Sequence, residues 1–239
     1  AGVIALSGGL SAVAPGAAQT ALAATTCSLS NHCYLLTSYG TLKSGASKVP
    51  TNTVGADLYV DCLSVPNRKT DFIDWEVWTE TNSDRSELNW VEEGMTAGTV
   101  HDVNSGKNYV NFEWFWADNR PGNDYNEHYV KPATVGTTSN VTIKWQGGPN
   151  WSVILAGKNL GTSLNNGDNA WGGEAGLEAT TSAVGTTIQG TLKNYQYEDP
   201  SHKWHWVPGG FTINKVPSGW IKKSSSASRS TAVSTYCGS

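Results

Sequence analysis

The chain has 239 residues with a formal net charge of -4, 15% charged and 38% hydrophobic residues, 26 Gly and 11 Trp. Its 16 Lys and Arg are scattered, so no basic stripe exists to neutralise phosphates and nucleic acid is excluded as a partner. The glycine content, and the lack of long helix-favouring runs, point to many short strands joined by turns.

The first stretch, residues 1–24, is small, apolar and uncharged, and ends in Ala21, Leu22 and Ala23. That is the pattern of a signal-peptide remnant; the alternative is an apolar N-terminal arm that docks on an extracellular protein partner. Pro15 and the glycines make it a poor membrane span, and no later run is apolar for long enough to cross a bilayer. Residues 25–239 are read as one β-sandwich domain of a secreted, extracellular protein. The four cysteines, Cys27, Cys33, Cys62 and Cys237, then imply two disulfides. Cys27 with Cys33 as a local loop is the favoured pairing, leaving Cys62 with Cys237; the crossed pairing stays open. No CxxC and no His pair at ligand spacing occurs, so no metal and no cofactor is expected.

Period-2 alternation recurs along the rest of the chain. In "DFIDWEVWTE", Ile73, Trp75 and Val77 fall on one face, with Asp74 and Glu76 on the other. "ELNWVEEG" groups Leu88, Trp90 and Glu92 against Asn89, Val91 and Glu93. "NYVNFEWFWAD" is apolar enough for a central strand, and "FEWFWADNRPGNDYNEHYV" reads as a strand, a Pro121-Gly122 turn and a second aromatic strand. "NVTIKWQ" and "NWSVILAG" flank a "GGPN" turn and form a hairpin. "TTIQGTLKNYQYED", "HKWHWV", "GGFTIN" and "GWIKK" add short strands, and residues 222–232 read as a polar loop. The expected fold class is all-β, two packed antiparallel sheets.

Among chemical groups, the sequence holds no nucleophile elbow, HExxH, P-loop or dinucleotide fingerprint. His202 and His205 read as surface strand residues, and oxidised cysteines leave no thiol nucleophile. Carboxylates remain. Glu92 shares a strand face with Leu88 and Trp90, which would desolvate it and raise its pKa. Glu174 follows Trp171, Gly172 and Gly173, an apolar wall beside two residues that allow close approach. Coupled, the two carboxylates would divide into an acid and a base at mildly acidic pH. Glu93, Glu113, Glu127 and Glu178 are read as solvated strand residues. Trp90, Trp114 and Trp116 are read as core or cleft packing, and Asp118, Asn126 and Tyr129 as the polar rim of a cleft. Tryptophans also suit stacking on sugar rings, so a glycan-binding module without catalysis is the competing function.

The ordered set "WVEEG", "FEWFWAD", "NDYNEHYV", "NWSV" and "WGGEAG" resembles neprosin-like proteins and the fungal eqolisins. The likeness spans residues 88–195, and Glu92 with Gly94, and Trp171 with Glu174, match the positions around that family's two catalytic residues. It implies a concanavalin-like sandwich and a glutamic endopeptidase that cleaves polypeptide substrates with an activated water. By that likeness Glu174 would be the base and Glu92 its partner. The residues themselves offer Trp90, Trp114, Trp116, Asp118, Asn126, Tyr129, Trp171, Gly172 and Gly173 as the substrate-binding set. Two departures are Met95, where the family has Trp after the glycine, and Asp124, where the Tyr-Asn element lacks its usual cysteine.

Overall fold

The computed structural model describes residues 27–28, 31–39, 49–60, 65, 67, 69–81, 89–99, 106, 108–165, 172–180, 189–207, 213–215, 221–226 and 229–233. Its described elements are all strands. Strands β1 (Cys33–Tyr39), β3 (Phe72–Glu80), β4 (Trp90–Thr99), β5 (Tyr109–Arg120), β6 (Asp124–Pro132), β10 (Gly173–Ala179) and β13 (Ile213–Lys215) make a first sheet, in the order β13-β1-β10-β3-β4-β5-β6. A second sheet runs β14-β15-β11-β2-β7-β8-β9, from β2 (Thr53–Tyr59), β7 (Thr138–Trp145), β8 (Asn150–Leu155), β9 (Lys158–Leu164), β11 (Gln189–Glu198), β14 (Ile221–Ser226) and β15 (Arg229–Val233). Strand β12 (Trp204–Trp206) pairs with β11 off that path. Among the described residues every strand pairing is antiparallel. This is the expected all-β sandwich, and no helix among the described residues is long and apolar enough to cross a membrane.

Side-chain alternation decides which face of each sheet is buried against the other. Ile73, Trp75 and Val77 of β3, Val91, Met95 and Ala97 of β4, and Ala175 and Leu177 of β10 turn inward from the first sheet. Val54, Ala56 and Leu58 of β2, Val141 and Ile143 of β7, and Trp151 and Val153 of β8 meet them from the second. Trp75 and Trp151 are both fully buried, and each covers enough apolar area to dominate its part of the core. Gly161 on β9 makes room for Trp116: a Cβ there would lie 2.7 Å from Trp116 Cζ2.

Glu93 also points into this apolar space and is 1% exposed. It is therefore not the solvated strand residue that alternation in polar sequence suggests. Its Oε2 accepts the Thr142 backbone N–H at 3.1 Å, and the Ile154 N–H also donates to it, so one acid ties β4 to β7 and β8 across the sandwich. Burial pushes its carboxyl well above the ordinary range, and the two backbone donors only partly offset that.

The Cys27–Cys33 disulfide is present, closing a loop tightened by reciprocal backbone hydrogen bonds between Ser28 and Asn31. Cys62 and Cys237 lie outside the described residues, as do Leu88, Trp171 and residues 1–24. Both expected hairpins form, β5 with β6 and β7 with β8. Residues 222–232 correct the sequence reading: most of that stretch is strand, with β14 paired to β15 and β15 paired to β11. A serine-rich run joins a sheet when a neighbouring strand supplies its backbone partners, because the ladder needs no particular side chain.

Candidate functional site

The site lies on the outer face of the first sheet, opposite to the core. Strand register places Glu174, Trp78, Glu92, Ala117 and Glu127 in one row across β10, β3, β4, β5 and β6. Glu174 and Glu92 therefore share a face, with Trp78 alone between them. Two strand spacings separate their backbones by about 10 Å. Glu174 is 0% exposed and Glu92 is 6% exposed.

Two residues further along, the next row is Gly176, Glu76, Gly94, Phe115 and Tyr129. Its glycines allow the strands to close. A Cβ on Gly94 would sit 2.2 Å from the Trp75 carbonyl oxygen, and one on Gly176, at φ +147°, would sit 2.3 Å from that of Leu35. The row beyond holds Tyr34, Glu178, Asp74, Thr96 and Glu113. Three successive rows thus carry acids on the face that alternation turns away from the core.

Above these rows is a cavity of about 640 Å³. Phe72, Tyr34, Trp78, Trp90 and Tyr125 supply its aromatic walls, and Asp74, Glu92, Glu127 and Glu178 its carboxylates. The walls brace one another: the Trp78 and Trp90 rings are 5.6 Å apart, and the Trp90 and Tyr125 rings 5.7 Å. Tyr125 also donates to Glu127 Oε2 at 3.2 Å. His32 and Lys69 are the basic groups of the lining, and His32 Nδ1 contacts Glu178 Oε1.

The electrostatics follow from burying like charges together. Burial pushes the Asp74 carboxyl well above its ordinary range, a hydrogen bond with Thr96 partly opposes this, and Glu127 and Glu178 raise it further. Burial likewise raises the Tyr34 phenol, with Glu178, Glu76 and Glu174 adding to it. Tyr125 is raised by burial and then by Glu127, Glu92 and Asp74. Both tyrosines stay neutral, and the fields of Glu174 and Glu92 reach the same cavity.

Other expected residues distribute unevenly. Trp90 lines the cavity, and Tyr129 belongs to the site face beside Phe115. Trp114 and Trp116 are not cleft residues: they belong to the core between the sheets, because even-numbered positions of β5 turn inward. Asp118 shares that parity, is fully buried, and accepts from Arg120 Nε at 2.8 Å. Asn126 is paired with Asp118 and so shares its face, with a side chain that bonds the Asp124 carbonyl. Gly172, at φ +127°, accepts a 3.0 Å hydrogen bond from the Thr79 hydroxyl, and Gly173 is paired with Thr79.

Glu127 and Glu178, read from sequence as solvated, are 6% and 7% exposed and line the cavity. Asp74, Glu76, Trp78 and Tyr34 were not singled out by the motifs. A usable signal existed in "DFIDWEVWTE", where Asp74, Glu76, Trp78 and Glu80 occupy successive outward positions of one strand. His202 and His205, by contrast, are tied to Glu198 and Asp199 at the edge of the second sheet. Among the described residues no trio of His, Cys, Asp or Glu is disposed to hold a metal ion.

No family model and no curated protein matches the sequence. Solved structures do. Scytalido-glutamic peptidase with a transition state analog inhibitor is similar at TM-score 0.54 and 9% identity, over 84% of this chain and 98% of that one. A complex of SCP-B, a member of the eqolisin family of peptidases, with a tripeptide has TM-score 0.49 at 9% identity, over 88% of this chain and 100% of that one. The fold of this chain is thus that of scytalido-glutamic peptidase.

Proposed function

We propose that the protein is a secreted glutamic peptidase that hydrolyses peptide bonds at acidic pH, with Glu174 and Glu92 as its catalytic pair. One observation carries this reading: Glu174 and Glu92 stand in the same row and on the same face, either side of Trp78, in a fold similar to that of scytalido-glutamic peptidase. Glu174 as carboxylate takes a proton from water as its oxygen attacks the scissile carbonyl carbon. Glu92, protonated, donates a hydrogen bond to the oxyanion. Collapse of the intermediate breaks the C–N bond, and the leaving amine takes the proton held by Glu174. Two nearby carboxyls in different protonation states require acid conditions, which fits a face this dense in buried acids. The neprosin-like variant of this reading rests on the sequence motifs.

The test is hydrolysis of a denatured protein across the acid range. Glu92→Gln and Glu174→Gln should each remove it while leaving the sandwich folded by circular dichroism. Wild-type protein inert at every acid pH would end the proposal. A second reading, a glycan-binding module, is favoured by Trp204 and Trp206, which are 47% and 57% exposed on β12. Glycan binding that survives both glutamine substitutions, and is lost when these tryptophans become alanine, would support it.

A further inference from the structure

We infer that Asn165 is a positioning residue for the catalytic pair: its side-chain amide ties the ends of β3, β4 and β5 to the second sheet, and so sets where Glu92 and Trp90 stand relative to Glu174. The inference rests on the peptidase reading and adds to it a residue outside the cavity lining. Asn165 directly follows β9, the last strand in the order of the second sheet, and is 2% exposed. Its backbone N–H donates to the Pro149 carbonyl at 2.8 Å, which anchors it to the turn before β8. Its side chain reaches the other sheet. Nδ2 donates to the Trp90 and Asn119 carbonyls, both at 3.0 Å, and Oδ1 accepts from the Thr81 hydroxyl at 2.6 Å.

These partners call for a short amide. Two carbonyls need two N–H donors on one atom, and a hydroxyl needs an acceptor beside them, so both ends of the side chain are fixed by what faces them. Trp90 is paired with Asn119 on β5 and with Glu80, the residue before Thr81, on β3. One side chain thus holds three adjacent strands at their common end. Removing the donors would leave buried carbonyls unsatisfied, which makes the tie stiff. Strand β9 can come this close because Gly161 leaves room for Trp116 of β5.

The strands held are those around the catalytic pair. Glu92 lies on β4 two residues after Trp90 and on the same face, about 7 Å away along the strand. The Trp90 ring leans on Trp78 and Tyr125, and Trp78 separates Glu92 from Glu174. A shift of Trp90 therefore moves Glu92 with its strand and Trp78 by contact. Glu174 is referred to the same strand end. The Thr79 hydroxyl donates to the Gly172 carbonyl, and Gly173 is paired with Thr79. Thr79 and Thr81 are both fully buried, so β3 grips the chain at Asn165 and again at Gly172, where it enters β10. Two carboxyls on strands that are not neighbours need such a common reference. Catalytic geometry tolerates little error: a misplacement of about 1 Å can cost on the order of a hundredfold.

The experiment compares Asn165→Leu, which keeps the size of the side chain and none of its hydrogen bonds, with Leu155→Ala, which opens a cavity in the core at the far end of β8. Peptide hydrolysis and thermal melting are measured for both. Asn165→Leu should lower kcat on the order of a hundredfold, with KM within about threefold of wild type. Leu155→Ala should lower the melting temperature at least as much and leave kcat within about twofold. Thr81 gives a second handle, which serves if Asn165→Leu does not fold. Thr81→Val should lower kcat about tenfold, and Thr81→Ser, which keeps the hydroxyl, should restore it. Full kcat in folded Asn165→Leu or in Thr81→Val, or an equal loss in Leu155→Ala, would overturn the inference. A further readout needs no activity: the near-UV circular dichroism that Trp90→Phe removes should also weaken in Asn165→Leu. Wild-type protein inert at every acid pH ends the peptidase reading, whereas an active wild type with Asn165→Leu unimpaired ends only this one. With an inert wild type, an unchanged tryptophan signal in Asn165→Leu still refutes the tie.

Discussion

The outer faces of the two sheets are built from the same kind of strand and behave oppositely. On the first sheet, Glu76, Glu92, Glu174 and Glu178 are all buried. On the second, Lys144, Thr162, Lys193 and Asn194 are exposed. Ordinary sheet surfaces look like the second, since isolated charges avoid burial unless something is gained. A sheet that buries acids on its outward side is giving up stability there, and a desolvated acidic cluster beside a cavity marks a candidate working site.

The largest expected effect separates the faces by function. Glu92→Gln or Glu174→Gln should lower kcat for peptide hydrolysis on the order of a thousandfold or more, the scale seen when a member of a catalytic set is removed. Glu198→Gln, on the second sheet, should leave kcat within about a factor of two. A large loss from Glu198→Gln would break the contrast at its root.

Next in size is a matched pair of glycines. Gly94 lies on the acid-bearing face, where an added Cβ meets backbone at 2.2 and 2.6 Å. At Gly55, in the second sheet, the nearest contacts are a backbone oxygen at 2.8 Å and the Thr142 hydroxyl at 3.0 Å. Overpacking of this kind costs roughly 1–3 kcal/mol. Urea denaturation should put Gly94→Ala near the upper end and Gly55→Ala below it. Equal losses would mean that strand closure is no tighter at the site than elsewhere.

The faces should also differ in the sign of their pH dependence. Asp74 is raised mainly by burial, so its contribution to stability is complete below its ordinary range and is lost as pH rises through the folded value. For Glu198, burial acts upward, but the Thr53 hydroxyl and His202 outweigh it and hold the carboxyl low. Its contribution is present above the ordinary carboxylate range and lost as pH falls. Thermal melts against pH should therefore show Asp74→Asn flattening the decline toward neutral pH, and Glu198→Gln flattening the loss in acid. The first change should be several degrees and the second smaller, because at Glu198 burial offsets part of what Thr53 and His202 contribute.

How much of this was legible in the sequence depends on how local the cause is. Period-2 alternation and turn residues marked most strands, and they put Trp75 and Asp74 on opposite faces of one strand. Glu92 and Glu174 came from short motifs, and register later put them in one row. Register is a property of strand pairing over a long sequence separation, so Trp78 between those acids, and Asp74 beside Glu178, were not readable from either strand alone. The inward parity of Trp114 and Trp116 failed for the same reason: β5 is apolar on both faces, and alternation cannot say which one meets the second sheet. Glu93 was misread because its face, shared with Asn89 and Val91, looks the more polar of the two in sequence, yet it is the face that meets the second sheet.

The smallest expected effect tests whether the second face is as ordinary as it looks. Lys144 is exposed on β7, where it stands in register between Thr53 and Ser152. It also borders a shallow cavity of about 480 Å³ that includes Glu198 and His202, and its charge helps to hold Glu198 low. A surface residue in such a position contributes within about 0.5 kcal/mol, and screening by salt reduces even that. Lys144→Ser should therefore shift the denaturation midpoint only slightly at neutral pH, and the shift should vanish in high salt. A change of more than about 1 kcal/mol that survives salt would exceed what an exposed pair supplies. It would show that the second face is tuned as closely as the first.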